Sequence, residues 1–340
     1  MVERARGPTL ETTIFLPRGD GPFPVAVINH GKAPGPASVQ PRARFESATA
    51  EFLQRGYAVV IPMRTGFSKS GGGYSELCGT ETVGRMWAND VGDVIGVLRS
   101  HPKLDWTRFA LVGQSGGGLT VMALGERALP GLKAIVNFAG GMSLTTANCF
   151  WKTDLVLAFG AYGAKSRYPT LWFYGANDSF FNQELAKEMH QVYTAGGGNA
   201  KLVAYGPFEN DSHRTFASFN GRPIWIAETF AFLESHGLPS KIAYPLNDVP
   251  PAASRFAAVN DVDAVPYLNE QSRASYRRFL EQTPPRAFAF APSGQFGWQT
   301  GGLDVVSKAL ERCEEKTPRK PCRLYAVDST VVWTKEAPEH

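Results

Sequence analysis

Short, almost uninterrupted apolar runs of five to seven residues recur along the chain between residues 23 and 237. Runs of this length without polar alternation are typical of strands that are buried on both faces of a parallel sheet. Stretches with helical spacing of apolar residues separate them. The chain is therefore predicted to form an α/β fold, a mostly parallel sheet with helices on both faces. The runs are Phe23–Asn29, Tyr57–Pro62, Phe109–Gly113, Lys133–Phe138, Thr170–Gly175 and Lys201–Tyr205.

Two further patterns complete this part of the chain. Thr9–Leu16 alternates well enough to be an antiparallel edge strand. The segments between the apolar runs contain helical patterns that are long enough for two or more turns. The predicted helices are Arg42–Arg55, Thr82–Ser100, Gly117–Ala128, Gln183–Thr194 and Trp225–Ser235.

The composition changes near His236, where a proline-rich stretch without clear periodicity begins. We expect three parts: a domain at 1–237, a linker or strap at 238–284 with a short helix, and a small α+β module at 285–340. The elements expected after the first domain are the helix Asn269–Gln282, the strand Ala287–Ala291, the helix Leu303–Glu314 and the strands Leu324–Val327 and Thr330–Trp333.

Charge and hydropathy exclude several classes of function. The net charge of +4 is spread along the chain, and without a one-sided basic stripe we expect no nucleic-acid partner. No apolar run approaches the roughly 20 residues that span a bilayer. Met1–Leu10 lacks the apolar core of a signal peptide. The protein is therefore expected to be cytoplasmic, or periplasmic or secreted as a mature form whose leader has been removed.

The four cysteines bear on that choice. An even count is compatible with two disulfides and an oxidising compartment, but four reduced thiols fit equally well. Cys78 and Cys149 both lie in loop-like segments, and Cys313 and Cys322 are nine residues apart. No pair has the spacing of a metal site and no histidines cluster beside them, so no metal is expected.

The segment Gly113–Gln114–Ser115–Gly116–Gly117 matches the pattern G-x-S-x-G and lies between a predicted strand and a predicted helix. A serine at such a tight bend is strained, and its close neighbours must be glycine to avoid clashes. The bend lifts the hydroxyl clear of the sheet, above a helix N-terminus. This segment resembles the nucleophile elbow of the α/β-hydrolase superfamily.

A serine nucleophile needs a base, and the base needs an acid to orient it. In the superfamily order Ser, Asp, His, the acid is Asp178 after the strand TLWFYG, and the base is His213 in a polar loop after the strand KLVAY. Asp154 remains a rival for the acid, because some hydrolases take it from after the preceding strand. Asp211 is interpreted as a loop-capping residue. The remaining histidines, His30, His101, His190, His236 and His340, are ranked below His213.

The loop after the first buried strand reads Asn29–His30–Gly31–Lys32. It resembles the HG turn that completes the oxyanion hole in many α/β hydrolases, which implies the backbone N–H groups of Lys32 and Gly116 as donors. His30 is expected to brace the turn. The next strand is followed by Arg64–Thr65–Gly66–Phe67–Ser68–Lys69–Ser70–Gly71, which resembles a common loop of these enzymes and is interpreted either as a pocket wall or as a hydrogen-bonded turn.

Taken together, these motifs resemble the dienelactone-hydrolase-like branch of the superfamily over residues 20–237. A true dienelactone hydrolase uses a cysteine nucleophile, whereas this chain has Ser115, which indicates general ester or peptide-bond chemistry. Only about 30 residues separate two successive strands (138 to 170), too few for a large helical cap, so an open pocket is implied. Its candidate wall residues are Phe67, Phe150, Trp151, Phe180 and Phe181.

The tail at 285–333 resembles a small module of bacterial exported proteins, and that resemblance implies a disulfide between Cys313 and Cys322. Aromatic residues of this module are interpreted as core or, alternatively, as a binding face. They are Phe296, Trp298, Tyr325 and Trp333.

The function expected from these motifs is cleavage of a small-molecule or oligomeric carboxylic ester through an acyl-enzyme, without metal or organic cofactor. A serine peptidase with the same triad is the alternative, since the triad does not distinguish ester from amide. A non-catalytic binding protein on a hydrolase scaffold is a third possibility, and the sequence names no protein partner.

Overall fold

The computed structural model describes residues 1–75, 77–144, 149–245, 251–302, 304–317 and 321–335. The chain divides into two compact units: unit 1 is Met1–Ala217 with Gly221–Tyr244, and unit 2 is Ser218–Asn220 with Pro245–His340. Leu303, the expected start of the last helix, and His340 lie outside the described residues, as does part of the expected strap, 246–250.

A mostly parallel sheet forms the centre of unit 1, with seven strands in its described residues. Six strands pair in parallel, and β1 pairs antiparallel with β3 at one edge. The order β1-β3-β2-β4-β5-β6-β7 places β2 beside β4, so that the loops after these two strands meet. The predicted fold class and the antiparallel edge strand are confirmed. The strands are β1 (Thr12–Phe15), β2 (Phe23–Asn29), β3 (Ala58–Pro62), β4 (Leu104–Gln114), β5 (Leu132–Phe138), β6 (Thr170–Gly175) and β7 (Ala200–Tyr205).

Strand β4 starts five residues before the predicted run. Its pairing with β2 shifts register between Pro24, opposite Asp105, and Val25, opposite Phe109. The residues in this bulge include two exposed polar side chains, Thr107 and Arg108. Polar residues at a bulge interrupt the apolar run, which is why the sequence pattern missed the start of the strand.

Six helices pack on this sheet in the described part of unit 1. The first begins at Glu46, not at Arg42 as predicted, because Phe45 takes a left-handed conformation with φ of 45°. The fourth was not predicted: it carries two glycines and apolar residues around most of its circumference, so its helical periodicity is weak. The helices are α1 (Glu46–Gln54), α2 (Thr80–Leu98), α3 (Gly116–Leu124), α4 (Trp151–Lys165), α5 (Gln183–Ala195) and α6 (Arg222–Ser235).

Two disulfides join the four cysteines, and one of them is the Cys313–Cys322 pair that the resemblance of the tail implied. Cys78 and Cys149 have Cα atoms 5.5 Å apart and connect the segments that precede α2 and α4 in unit 1. Cys313 and Cys322 have Cα atoms 6.1 Å apart in unit 2. Among the described residues, no helix has both the length and the apolar character needed to cross a membrane.

The described part of unit 2 contains a four-stranded antiparallel sheet in the order β11-β10-β8-β9. Aromatic residues of one cluster, including Phe288, Tyr325 and Trp333, pack with the helix α7, and small apolar residues of a second cluster pack with α8. Phe296 and Trp298 are partly buried against the first cluster. These aromatics therefore pack in the core. The elements are α7 (Glu270–Leu280), β8 (Arg286–Phe290), β9 (Phe296–Thr300), α8 (Val305–Glu314), β10 (Arg323–Val327) and β11 (Thr330–Val331).

Candidate active site

Ser115 lies at the sharp bend between β4 and α3. Its backbone has φ of 56° and ψ of −125°, a conformation that a residue with a side chain adopts at a cost of roughly 1–3 kcal/mol. Two backbone hydrogen bonds hold it there: its N–H donates to the carbonyl of Phe138 at 3.0 Å, and its carbonyl accepts from the N–H of Gly141 at 3.1 Å. The predicted strained serine is thus fixed by the loop after β5.

The glycines around Ser115 are required by close backbone contacts. A Cβ atom on Gly113 would lie 2.2 Å from the carbonyl oxygen of Gly117, and a Cβ atom on Gly117 would lie 2.1 Å from that of Asn29. The start of α3 therefore packs directly against the end of β2. These contacts explain why glycine occurs on both sides of the serine.

His213 and Asp178 are brought together by the loops after β7 and β6. Nδ1 of His213 lies 3.0 Å from Oδ2 of Asp178, whose side chain is completely buried. The second oxygen, Oδ1, accepts the backbone N–H groups of Phe180 at 2.8 Å and Phe181 at 2.9 Å. Because the carboxylate accepts, Nδ1 carries the proton and Nε2 remains the basic nitrogen.

The loop of His213 is anchored beside the nucleophile. Nε2 of Gln114 donates to the backbone carbonyl of His213 at 2.7 Å. Oδ1 of Asp211 accepts the N–H of His213 at 2.9 Å, so Asp211 caps the loop as its position predicts. Although burial raises the pKa of Asp211, the His213 N–H and the two donors of Ser179 hold that pKa below its ordinary value.

The predicted oxyanion turn passes close to the serine side chain. A Cβ atom on Gly31 would lie 2.8 Å from Cβ and 3.3 Å from Oγ of Ser115. The peptide unit that joins Gly31 to Lys32 therefore flanks the hydroxyl, and Gly116 follows the serine directly. Trp87 of α2 packs against Gly116, 3.2 Å from the position of a Cβ atom there.

Two residues that no sequence motif connects, His30 and Arg64, meet beneath this turn. The guanidinium of Arg64 donates from Nη1 to the carbonyl of His30, and the backbone N–H of Arg64 donates to Nε2 of His30 at 3.2 Å. Burial and the nearby Arg64 hold the pKa of His30 well below its ordinary value. The sequence placed His30 in the HG turn and Arg64 at the start of the loop after the next strand, but gave no signal that the two residues meet.

The candidate pocket residues lie in different environments. Phe180 is 45% exposed, with its ring 4.7 Å from that of His213, and the buried Phe181 lies 5.6 Å from the same ring. Trp151 is partly buried with its ring 6.2 Å from Phe181, whereas Phe150 is 82% exposed. Phe67 is fully buried between the rings of His30 and Tyr74.

The rivals for the catalytic roles lie in other elements or bond other groups. Asp154 lies in the first turn of α4. His190 bonds the carbonyl of Ala200, and His236 bonds that of Phe232. Within the described residues, no three His, Cys, Asp or Glu side chains are placed to hold a metal ion.

A parallel sheet of this order, with a strained serine between β4 and α3 and an Asp–His pair from the loops after β6 and β7, defines an α/β hydrolase. The resemblance to that superfamily is thereby confirmed. The family model of the X-Pro dipeptidyl-peptidases (S15 family) matches residues 7–192, more than half of the chain. The chain belongs to this family.

Solved structures share the fold at low sequence identity. The Pyrococcus furiosus esterase Pf2001 is 17% identical, with 69% of this chain and 90% of that chain covered and a TM-score of 0.51. The Porphyromonas gingivalis dipeptidyl peptidase 4 is 18% identical, with 67% and 33% covered and a TM-score of 0.50. DcsB, in complex with its substrate analogue, is 13% identical, with 69% and 98% covered and a TM-score of 0.53. No curated protein matches the chain significantly.

Proposed function

We propose that the protein is a serine hydrolase that cleaves carboxylic esters through an acyl-enzyme intermediate. The observation that carries this proposal is the buried Asp178–His213 pair, held beside the strained Ser115 by the hydrogen bond from Gln114 to the His213 carbonyl. A hydroxyl, a base and an orienting acid in this arrangement are the parts that acyl transfer requires.

In the proposed reaction, Oγ of Ser115 attacks the ester carbonyl while Nε2 of His213 takes the hydroxyl proton. Asp178 keeps the imidazole in the required tautomer and stabilises its protonated form. The N–H groups of Lys32 and Gly116 hold the negative oxygen of the tetrahedral intermediate. The intermediate expels the alcohol, which receives the proton from His213. A water molecule, deprotonated by the same nitrogen, then attacks the acyl carbonyl; the bond to Oγ of Ser115 breaks, Oγ takes the proton back from His213, and the acid leaves.

Among carboxylic acid derivatives, we favour esters over amides as substrates. An alkoxide or phenolate is a better leaving group than an amine, so the tetrahedral intermediate breaks down more easily. The open rim beside His213, with the exposed ring of Phe180, suits a flat or aromatic group of a small-molecule or oligomeric ester. We assign the walls of this pocket to Phe180, Phe181 and Trp151, with Phe150 at the outer edge.

A peptidase activity is the second candidate, and membership of the X-Pro dipeptidyl-peptidase family favours it. The same residues would act, with His213 protonating a departing amine. A panel of p-nitrophenyl esters beside Ala-Pro-p-nitroanilide separates the two. A kcat/KM for the anilide that exceeds those for all esters would make the protein a peptidase.

Labelling with a fluorophosphonate tests whether the chain is an enzyme of this mechanism at all. We expect stoichiometric labelling of the native protein, none in Ser115→Ala, and none on the same time scale in His213→Ala. Asp154→Asn serves as the matched control and should label like the native protein. A native protein that does not react would favour a binding protein on a hydrolase scaffold.

The two disulfides support a periplasmic or secreted location, because such bonds persist in oxidising compartments. Thiol titration of the denatured protein, purified without reductant from its native host, measures how many of the four cysteines are free. We expect no free thiol, and four free thiols would instead favour the cytoplasm.

A further inference from the structure

Arg64 is a buried cation that lies behind the nucleophile and has no role in the mechanism above. It is 1% exposed, and its guanidinium carbon lies 4.8 Å from the ring centre of Trp87 and 5.2 Å from that of Phe67. Its Nη2 atom is 3.5 Å from the position of a Cβ atom on Gly116. The guanidinium is therefore enclosed next to the predicted oxyanion donors.

This position is costly for stability. Nε and Nη2 of Arg64 have no hydrogen-bond partner within the part of the chain that the structure describes. A buried charged group with unpaired donors destabilises a fold. Burial lowers the pKa of Arg64 to about 10, so the side chain remains a cation at neutral pH. Groups that are held at a cost to stability concentrate at functional sites.

The contacts of Arg64 fix the tautomer of His30. The backbone N–H of Arg64 donates to Nε2, which must therefore be unprotonated. The proton of the neutral ring is then on Nδ1, which lies 2.7 Å from the carbonyl oxygen of Gly31 and donates to it. In addition, the Arg64 guanidinium donates to the backbone carbonyl of His30 itself.

These bonds determine the direction of one N–H group. The carbonyl of Gly31 and the N–H of Lys32 belong to the same planar trans peptide, so they point in opposite directions. Because the ring of His30 holds the Gly31 carbonyl, the Lys32 N–H must point away from that ring. Gly31 contacts the side chain of Ser115, and a rotation of this peptide would change where the donor points relative to the serine.

We propose that Arg64 and His30 are positioning residues, which fix the Gly31–Lys32 peptide so that the Lys32 N–H remains aimed at the developing oxyanion. This inference rests on the proposed serine-hydrolase function. Arg64 acts on the His30 carbonyl and ring, and His30 acts on the Gly31 carbonyl. Neither side chain takes part in proton transfer.

The test compares Arg64→Met with Arg55→Met. Arg55 is also a buried arginine of unit 1: it pairs with Glu51, donates to the carbonyl of Ser240 and packs on Phe230. It precedes β3, whereas Arg64 follows it, so the two lie at opposite ends of one strand. Both variants should lower the melting temperature, but only Arg64→Met changes the oxyanion turn.

Kinetics are measured with p-nitrophenyl butyrate, and active sites are counted by complete fluorophosphonate labelling, so that unfolded protein is not included. We expect Arg64→Met to lower kcat per active site by about 10- to 100-fold with KM within about three-fold, as for a misplaced catalytic group. The Ki of an aryl trifluoromethyl ketone, which forms an oxyanion on the serine, should rise by the same factor. Arg55→Met should keep kcat within about two-fold.

Arg64→Lys keeps the positive charge but lacks the planar guanidinium group with its several N–H donors. It is measured as a second variant in case Arg64→Met does not fold. It should lose kcat to an intermediate extent. A kcat within about two-fold of the native value in Arg64→Met, or in Arg64→Lys where only that variant folds, overturns the positioning role while the hydrolase function stands. Equal losses of kcat in Arg64→Met and Arg55→Met overturn it as well. A native protein that is not labelled overturns both proposals.

Discussion

Nδ1 of His213 lies 3.0 Å from one oxygen of Asp178, and the other oxygen of that carboxylate accepts two backbone N–H groups from the turn that follows it. The acid is thus oriented by the main chain, independently of the histidine. An imidazole that donates to a carboxylate fixed in this way has a single orientation and tautomer, with Nε2 available as the base.

Asp178→Asn is expected to lower kcat for p-nitrophenyl butyrate by about 10³- to 10⁴-fold, because the amide neither stabilises the imidazolium nor enforces the tautomer. The matched control is Asp211→Asn. Asp211 accepts the backbone N–H of His213 and not its ring, so this variant should lose less than about ten-fold. Equal losses in both variants would mean that Asp178 acts through loop structure and not as the acid of the triad.

Gly31→Ala is expected to lower kcat by at least about ten-fold, since the added methyl group would lie 2.8 Å from Cβ of Ser115 and must displace either the serine or the turn. Gly206→Ala is the control, because a Cβ atom there has no heavy atom within 4 Å. Steady-state kinetics with counted active sites measure both. If Gly31→Ala is fully active, the oxyanion donor must come from a segment other than the turn at Gly31.

The strands and the serine elbow are predictable from the sequence because their patterns are local. A buried parallel strand appears as an apolar run, and the glycines around Ser115 are required by contacts within the bend and with β2. The position of Asp178 follows from the end of β6. In contrast, α4 was not predicted because its apolar residues occupy most of its surface, which removes the periodicity that marks a helix.

The contact between His30 and Arg64 was not predictable for a different reason. The two residues are 34 positions apart and meet only because β2 and β3 are neighbours in the sheet. A single sequence shows that each follows a strand, but not which of the nearby carbonyls the guanidinium will reach. Its unpaired donors likewise become visible only when burial is known.

The stability of the protein should decrease as the pH falls below about 6.5, partly through His30. Burial and Arg64 lower the pKa of this residue in the folded state, so below about 6.5 the unfolded chain binds a proton there that the folded chain does not. The slope of the unfolding free energy approaches about 1.4 kcal/mol per pH unit once the pH is well below 6.5. The contribution of His30 to the stability is fully present above the pKa that the residue has in the unfolded chain. It decreases as the pH falls toward the lower pKa of the folded state.

Urea unfolding of the native protein and of His30→Gln between about pH 5.5 and 6.5 isolates this contribution, because the other histidines are common to both. The stability advantage of the native protein should shrink by about 1 kcal/mol over this interval, because His30 of the unfolded chain is half protonated at pH 6.5 and almost fully protonated at about pH 5.5. A difference that does not vary with pH would show that His30 titrates normally in the folded state.

Replacing the cysteines of each disulfide by serine should destabilise unit 1 more than unit 2. The Cys78–Cys149 bond closes a loop with a sequence separation of 71, and the Cys313–Cys322 bond one of 9. Loop entropy in the unfolded chain predicts losses of about 4 and about 3 kcal/mol, respectively. Denaturant unfolding followed by hydrogen exchange assigns each loss to its unit. A larger loss of unfolding free energy in unit 2 than in unit 1 would contradict the explanation by loop entropy.

The start of α3 meets the end of β2 through backbone atoms, with no space for a side chain on Gly117. The backbone geometry around Ser115 is therefore set by the course of the main chain, whereas the pocket that we propose beside it would be lined by separate side chains such as Phe180 and Trp151. Under the proposed function, substitutions of these side chains should change the substrate preference while the position of Ser115 stays the same.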